Sequence, residues 1–253
     1  MGMKITVIIP TYNRVEMLGR AIQSLLRQRH DVDLDILVID DASTDGTAEL
    51  LVTLSATHPA VRVLRQNTNT GPSMARNQGL AALLSDTEVV TFLDSDDLSP
   101  PGRFAADLPV LVSDPSVDLT YGKMMLVDAI DPHTLAPPVG ARQLELMGIH
   151  LSAGLYRRSL IERIGTIDVG LKQAEDTDYL LRIFESDARF AETTTLCLYY
   201  LRHGANTTND NAVARRWFAA ALLRSMQRRK RDPGIVLRTP TFMVQPLSDQ
   251  EFV

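Results

Sequence analysis

VVTFLDSDD, residues 89–97, joins a short apolar run to three carboxylates. The apolar part is rich in β-branched residues, which predicts a strand that is covered on both faces of a sheet. Asp94, Asp96 and Asp97 follow where that strand should end. Two carboxylates about 5 Å apart repel by roughly 3 kcal/mol at an effective dielectric of about 20, so this group needs protonation or a cation. Hard oxygen ligands suit Mg²⁺ or Mn²⁺, which also bind phosphate oxygens.

The composition bounds the class of protein. The chain has 253 residues, of which 45% are hydrophobic and 23% charged, a balance typical of a globular protein with one domain or two closely joined lobes. Its net charge of -5 gives no general attraction for nucleic acid, so we expect no nucleic-acid partner. The basic run RRKR at 228–231 is the local exception.

The sequence also bears on location. The apolar run at 5–9 is too short for a signal peptide and is stopped by Pro10, and no apolar stretch approaches the roughly 20 residues that span a membrane. The single cysteine, Cys197, stands between two leucines, which favours a buried packing role in a reducing compartment. We therefore expect a cytoplasmic protein without a transmembrane segment.

Short apolar strands alternate with helices through the first half of the chain. Helices are predicted from about residue 13, from about residue 45 and over 72–83, between strands at 5–9, 35–39, 61–64 and 89–93. Alternation with connections this short predicts an α/β fold, in which a Rossmann-like, mostly parallel sheet carries helices on both faces.

Two of these helices have polar residues at their expected starts. Asn13 and Glu16 have the spacing of a capping box before the first helix. Asp45 stands directly before a glycine and a helix, so we interpret it as a helix cap rather than as a ligand-binding residue.

The pattern changes after about residue 115. Residues 118–129 are predicted to form an antiparallel strand pair or meander, which a proline-rich loop follows. The later elements are predicted to be a strand at 150–156, helices at 158–164 and 176–185, a strand at 194–202 and a last helix that contains Trp217.

Three of the predicted strands are followed by polar segments. These segments are PTYNR at 10–14, DDASTDGT at 40–47 and DSDD at 94–97. In an open parallel sheet, ligands bind beyond the carboxyl ends of the strands. The three segments therefore predict one shared ligand site at that edge.

Five segments together resemble the family 2 inverting glycosyltransferases with the GT-A fold. PTYNR, DDASTDGT, GPSMARNQGL, FLDSDD and EDTDYLLR occur in the order and spacing typical of that family and cover residues 4 to about 203. The resemblance implies a nucleoside diphosphate sugar donor, most often a UDP-sugar, with Mn²⁺ or Mg²⁺, and transfer to an acceptor hydroxyl with inversion. It assigns 1–115 to nucleotide-sugar binding, 116–210 to the acceptor and catalysis within the same domain, and 211–253 to a C-terminal helix and tail.

The resemblance carries donor-binding roles over to residues of the first half. Pro10, Thr11 and Tyr12 would frame the base, with Arg14 near the base or the diphosphate. Asp40 or Asp41 would accept hydrogen bonds from the base or ribose. The segment that closes over the nucleotide would contain Ala75 and Arg76, with Asn77 stabilising its turn.

The resemblance likewise assigns the metal site. Asp94 and Asp96 match the family's DxD motif, with Ser95 between them among the donor-binding residues. Asp96 would bind the metal, and Asp94 would contact ribose or a metal-bound water as well as belonging to the metal site. His203 would supply a further contact to the metal or the diphosphate. The remaining histidines, His30, His58, His133 and His150, are assigned to surface or packing positions.

The acidic pair Glu175 and Asp176 resembles the family's catalytic carboxylates. Asp176 is assigned as general base, with Glu175 and Asp178 as rivals, and Arg182 is expected to fix the pair by a salt bridge. A carboxylate that removes the acceptor's proton during attack contributes roughly 10²- to 10⁴-fold in rate. The same acidic residues also fit simple capping of a helix start, where carboxylates are favoured by the dipole.

Several alternatives stay open at this point. A non-catalytic sugar-nucleotide-binding module on the same fold is the alternative function. The acceptor could be a saccharide, a lipid-linked sugar or another hydroxyl compound, and the oligomeric state is unknown. The basic run at 228–231 fits a solvated helix end, a charged partner, or peripheral contact of the C-terminal helix with anionic lipid at the cytoplasmic face of a membrane.

Overall fold

The structure is a computed structural model that describes residues 2–204 and 210–242. Strands and helices alternate in its first half as the sequence predicts. The elements are β1 (Lys4–Thr11), α1 (Val15–Leu26), β2 (Asp33–Asp40), α2 (Thr47–Thr57), β3 (Val61–Arg65), α3 (Pro72–Ala81), β4 (Val89–Phe92) and α4 (Arg103–Ser113).

The second half contains four strands and three helices in its described part. These are β5 (Leu119–Val127), β6 (Gln143–Leu146), a 3₁₀ turn (Leu151–Ala153), β7 (Gly154–Arg157), α5 (Arg158–Ile164), α6 (Glu175–Glu185), β8 (Phe190–Leu201) and α7 (Asn211–Arg231). The strand pair predicted within 118–129 is wrong, because that segment is the single strand β5 and its antiparallel partners come later in the chain. The strand predicted at 150–156 begins instead with the 3₁₀ turn.

One sheet joins both halves. Its strand order is β3-β2-β1-β4-β7-β5-β6, and β8 pairs with β5. The contacts among β3, β2, β1 and β4 are parallel, whereas β7 is antiparallel to both β4 and β5. The predicted α/β class with a mostly parallel sheet is confirmed. The sheet continues across residue 115, so the division into a donor half and an acceptor half stays a prediction.

Helices cover both faces of the sheet, as the apolar character of the strands predicts. On one face, alternate β1 residues such as Ile5 and Val7 pack in a cluster with α1, α2 and α4. On the other face, Ile8 packs in a cluster with α3, α5 and α6. Burial on both faces explains why these strands are continuously apolar rather than alternating.

The capping box predicted before α1 is wrong. Asn13 has a positive φ of 52°, and its Oδ1 accepts a hydrogen bond from the Thr44 backbone N–H rather than from α1. Asp45 has the predicted structural role, because its carboxylate accepts hydrogen bonds from the backbone N–H groups of Thr47 and Val15. The loops after β1 and β2 are thus linked to each other.

Cys197 and the helices each bear on an expectation from the sequence. Cys197 is fully buried in β8, which confirms its expected packing role. None of the helices in the described ranges has both the length and the apolar character needed to cross a bilayer.

Candidate active site

The carboxyl ends of β1, β2 and β4 open into one cavity of about 740 Å³. The three polar segments therefore meet at one site, and α3, α6 and α7 supply the rest of its wall. The predicted site residues that line it are Pro10, Thr11, Tyr12, Arg14, Asp41, Ala75, Arg76, Asp94, Ser95, Asp96, Glu175 and Asp176. Asp40 and His203 do not line it.

The two adjacent aspartates after β2 have different surroundings. Asp40 is buried, accepts a hydrogen bond from the Ser43 backbone N–H and lies 3.5 Å from Arg65 Nε. Asp41 lines the cavity, and its carboxylate oxygens accept hydrogen bonds from the backbone N–H groups of Thr70 and Gly71. Asp41 therefore holds the turn from which α3 starts.

Close packing of α3 on the sheet positions its charged residue at the cavity. A Cβ on Gly79 would come within 2.5 Å of the Ile8 side chain in β1, so glycine permits this approach. One turn earlier on α3 stands Arg76, whose side chain is only 6% exposed. The neighbouring Asn77 was expected to stabilise its own turn. Its side-chain amide instead donates to the Ile167 carbonyl and accepts from the Ile167 N–H, and these bonds tie α3 to the segment before α6.

Arg76 connects the two acidic groups of the site. Its Nη2 donates to Asp94 Oδ1 and its Nη1 donates to Glu175 Oε1, each at 2.6 Å. Burial alone would raise the pKa of Asp94, but the Arg76 charge, the nearby His150 and the hydrogen bond from Arg76 together outweigh burial and hold that pKa below its usual value. Burial raises the pKa of Glu175. The Arg76 charge offsets only part of this increase, and repulsion from Asp176 adds to it.

The DSDD segment forms a turn that is attached to β8. The Asp97 N–H donates to the Asp94 carbonyl, and Leu98 forms a short antiparallel bridge with Tyr199. Asp97 Oδ1 accepts from the Leu201 N–H, whereas its buried Oδ2 has no hydrogen-bond partner among the described residues. Burial, together with repulsion from Asp96 and Asp94, raises the pKa of Asp97 well above its usual value. This turn carries negative charge that the described side chains leave only partly balanced.

Two groups of possible metal ligands stand side by side at this turn. His203 Nε2 lies 3.2 Å from Asp96 Oδ2, and Arg14 Nε lies 3.9 Å from the same oxygen. Within residues 2–204 and 210–242, the ligand atoms that gather within 4.8 Å of one another are those of Asp94, Asp97 and His150. The donor set of carboxylates and imidazoles, with one buried carboxylate oxygen unsatisfied, fits a divalent cation.

His150 is a cavity residue that the sequence prediction assigned to packing or the surface. Its Nδ1 accepts a hydrogen bond from the Ser152 N–H, so the neutral ring carries its proton on Nε2. That Nε2 lies 3.9 Å from Asp94 Oδ2. In this tautomer the Nε2–H of His150 faces Asp94, so His150 would bind a cation through Nε2 only in the other tautomer, without the Ser152 hydrogen bond. No sequence motif surrounds His150 that could have identified it.

The first turn of α6 separates its three acidic residues. Asp176 lines the cavity and forms no ion pair with any residue in the described ranges. Asp178 faces away from it, buried between Arg228 Nη1 at 2.7 Å and Arg182 Nε at 3.5 Å. The salt bridge expected from Arg182 thus goes to Asp178, while Arg76 pairs with Glu175.

The cavity includes basic and aromatic residues that no sequence motif indicated. Lys172 precedes α6, and Arg202 follows β8. Arg215 and Phe218 come from α7, which packs against α6. Because α7 is distant in sequence from every motif, its contribution to the cavity becomes visible only in the folded chain.

Comparison with known proteins identifies relatives of this fold and site. The family model described as Glycosyl transferase family 2 matches residues 6–125. An uncharacterized glycosyltransferase of Nostoc sp. is 32% identical over 183 residues, which are 66% of this chain and 54% of that relative. The chain therefore spans about half the length of this relative.

Two solved structures share the fold. TarS 1-349 of S. aureus in complex with UDP-GlcNAc superposes with a TM-score of 0.66 at 21% identity, over 87% of this chain and 67% of that one. The mannosyltransferase PcManGT of Pyrobaculum calidifontis, in complex with GDP-Man and Mn²⁺, gives a TM-score of 0.67 at 21% identity, over 93% and 66% of the two chains.

Proposed function

We propose that this chain, whose residues 6–125 match the model of glycosyl transferase family 2, is a metal-dependent inverting transferase that moves a sugar from a nucleoside diphosphate sugar to an acceptor hydroxyl. One observation carries this proposal. Asp176 opens into the same cavity as Asp94 and Asp96, and the buried Arg76 connects the two acidic groups.

The donor is proposed to be a UDP-sugar. TarS binds UDP-GlcNAc and PcManGT binds GDP-Man with Mn²⁺, which supports a nucleotide sugar and a divalent cation on this GT-A fold. Tyr12 lies 42% exposed beside Pro10 and Thr11 at the cavity wall, where its ring offers a surface for stacking on the base. Asp41 borders the same region, although its oxygens already accept backbone hydrogen bonds.

The cation would be held by Asp96 and His203, with Asp94 beside them. The Asp96–His203 contact places these two groups at the end of the DSDD turn, toward Arg14. When bound, Mn²⁺ or Mg²⁺ offsets the negative charge that develops on the departing diphosphate. Arg14 reaches the cavity from the opposite loop and adds a fixed positive charge next to Asp96.

Asp176 is proposed as the general base because its rivals have other partners. The Glu175 carboxylate binds Arg76 and has a raised pKa, which makes it a positioning residue. The Asp178 carboxylate is buried against Arg228. Asp176 is left as the carboxylate of this turn that faces the cavity without an ion pair among the described residues.

The reaction balances as a single displacement. The acceptor oxygen forms a bond to the anomeric carbon while the bond from that carbon to the diphosphate oxygen breaks. The hydroxyl proton passes to Asp176, and the diphosphate leaves with the electron pair. Attack opposite the leaving group inverts the anomeric configuration, and a positioned base contributes roughly 10²- to 10⁴-fold in rate.

The proposal is tested with purified protein and a panel of nucleotide sugars. We expect thermal stabilisation by one nucleotide sugar, nucleotide release that requires Mn²⁺ or Mg²⁺ and an acceptor, and a product of inverted configuration by NMR. Binding without any turnover across the donor and acceptor panels would favour a non-catalytic sugar-nucleotide-binding module. A product of retained configuration would contradict the single displacement.

A further inference from the structure

Helix α7 packs on the protein through one face only. Ala221 and Ser225 are its buried residues, and the Ser225 hydroxyl hydrogen-bonds to Glu185 of α6. Arg228 completes this contact, since its Nε lies 2.5 Å from Glu185 Oε2 and its Nη1 lies 2.7 Å from Asp178 Oδ1. Buried ion pairs therefore fix which side of α7 faces the protein.

The outward side of α7 carries an apolar strip. Phe218, Leu222, Leu223 and Met226 are 41%, 38%, 56% and 58% exposed. With about 100° of rotation per residue, these four positions span an arc of about 140°, which begins at Phe218 next to the buried Ser225 and turns away from the buried side. Large apolar side chains that are contiguous and exposed indicate a surface that binds something.

The charged residues of α7 all carry the same sign. Residues 211–231 contain seven arginines and lysines and no acidic residue, in a chain with a net charge of -5. Three of the seven, Arg224, Arg228 and Arg229, pair with acidic residues of the protein body. The other four, which form no ion pair within the described ranges, are Arg215, Arg216, Lys230 and Arg231. They stand at the two ends of the apolar strip.

We propose that the apolar strip of α7 docks on the surface of an anionic lipid bilayer. A helix with exposed apolar residues between cations lies in the headgroup region, where the apolar side chains enter the acyl boundary and the cations meet lipid phosphates. A second copy of the chain fits less well. Two such helices face to face would bring like charges together, since α7 offers no carboxylate to pair with them.

Docking in this orientation bears on the acceptor. Phe218 belongs both to the apolar strip and to the cavity wall, and Arg215 lines the cavity one turn earlier. The bilayer surface would therefore meet the protein at the part of the cavity wall that α7 supplies. If the proposed function holds, on which this step rests, the acceptor is a hydroxyl compound anchored in the membrane.

Flotation of the full chain with vesicles tests the docking without any turnover. We expect the chain to float with vesicles of phosphatidylcholine and phosphatidylglycerol, and neither with phosphatidylcholine alone nor at high salt. Lys230→Gln combined with Arg231→Gln should lower the partition coefficient about 25-fold, because each cation near an anionic surface contributes about fivefold. Leu223→Gln combined with Met226→Gln should abolish flotation.

A matched control uses exposed valines on other helices. Val52 of α2 and Val112 of α4 are 69% and 56% exposed, so Val52→Gln with Val112→Gln removes similar apolar surface elsewhere and should float like the parent. Absence of flotation by the parent chain, or flotation that the α7 substitutions leave unchanged, overturns the proposal. Sedimentation that shows a dimer lost in the Leu223→Gln, Met226→Gln chain would assign the strip to a second copy and also overturn it.

The two proposals fail in distinguishable ways. None of the substituted α7 residues lines the cavity, so stabilisation by nucleotide sugar should be unchanged in these variants. Flotation without any binding of nucleotide sugars would contradict the proposed function alone. Binding of nucleotide sugar without flotation would contradict the docking alone. A membrane-anchored acceptor further requires that embedding an acceptor in anionic vesicles increases turnover by the parent chain and not by the Leu223→Gln, Met226→Gln chain.

Discussion

Glu175 lies 2.6 Å from the Arg76 guanidinium, whose other side binds Asp94 at the same distance. The DSDD turn and the start of α6 are thereby both held by the Arg76 guanidinium, which is almost fully buried. The separation between the proposed cation site and the proposed base is fixed by this bridge together with the Asn77 hydrogen bonds to Ile167. Arg76 therefore positions the site in addition to bordering the nucleotide cavity.

The bridge predicts a large effect of Arg76→Gln. Removal of the guanidinium leaves two carboxylates close together without their counter-charge, so we expect a loss of about 3–5 kcal/mol in the free energy of unfolding. Urea unfolding followed by circular dichroism measures it. Glu162→Gln is the control, because its 60% exposed side chain pairs with Arg158 at the surface and is expected to contribute less than about 1 kcal/mol.

Arg76→Lys separates charge from geometry. A lysine ammonium keeps the positive charge but lacks the planar fork that reaches two carboxylates at once. We expect most of the stability to return while kcat/KM for transfer stays lowered by at least about tenfold. Stability of the Arg76→Gln chain equal to that of the parent, or full transfer by the Arg76→Lys chain, would contradict a positioning role.

The strands of the parallel half of the fold could be predicted from the sequence because they are buried on both faces. Residues 5–9, 35–39, 61–64 and 89–93 are all within one to three residues of β1 to β4, since continuous apolar runs between polar segments leave few alternatives. The second half was harder. β5 pairs with β6, β7 and β8, which are all non-local, so no local pattern in 118–129 distinguished one long strand from two short ones.

The candidate site divides in the same way. Sequence motifs identified the groups at the strand ends, where neighbouring residues share a function. His150, Arg215 and Phe218 were missed because they reach the cavity from single positions whose neighbours serve other purposes. The assignment of partners among charges was only partly accessible. Arg182 and Asp178 have the i, i+4 spacing of a pair within one helix, whereas the Arg76–Glu175 pair depends on the folded chain bringing α3 beside α6.

Asp176→Asn tests the base directly. The amide keeps the size of the side chain and can still accept the hydrogen bond from the Thr177 N–H, but it cannot take the acceptor's proton. We expect transfer to fall by about 10²- to 10⁴-fold, with nucleotide-sugar binding and stability nearly unchanged. Nucleotide release and calorimetric binding to the same preparation measure both. Transfer at the parent rate would eliminate Asp176 as base.

Asp178→Asn should behave in the opposite manner. Its carboxylate is 2% exposed and compensates Arg228, so neutralisation leaves a partly buried charge and is expected to cost about 3–5 kcal/mol of stability. The remaining folded molecules should transfer sugar at close to the parent rate, measured below the midpoint of thermal unfolding. A loss of transfer that matches Asp176→Asn, without a loss of stability, would return Asp178 to the candidates for the base.

The Cys197 thiol should react only slowly with alkylating reagents in the folded chain. Burial raises the pKa of its thiol to about 12, while the nearby Arg103 opposes this increase and repulsion from Asp107 adds to it. The thiolate is the reactive form, so alkylation should be slow at every pH below that value as long as the chain stays folded. Mass spectrometry after iodoacetamide treatment, with and without urea, provides the measurement. Rapid alkylation of the folded chain at neutral pH would contradict this environment.

Chelation tests the cation site at the DSDD turn. Asp97 has a raised pKa and an unsatisfied buried oxygen, so added positive charge at this turn should stabilise the fold. We expect Mn²⁺ to raise the unfolding temperature and EDTA to reverse the increase. Asp96→Asn should weaken Mn²⁺ binding by more than about 100-fold and His203→Gln by at least about tenfold, since even outer partners of metal ligands typically contribute 10- to 100-fold.

The control for chelation is an acidic residue of similar charge outside the cavity. Asp187 has an 87% exposed side chain near Arg163, so Asp187→Asn should leave the Mn²⁺ response unchanged. The Asp94, Asp97 and His150 group offers a competing location for the ion. His150→Gln removes one member of that group while Asp96 and His203 stay in contact, because His150 binds neither of them in the described structure. Loss of Mn²⁺ binding in His150→Gln together with full binding in Asp96→Asn would move the ion to the Asp94, Asp97 and His150 group.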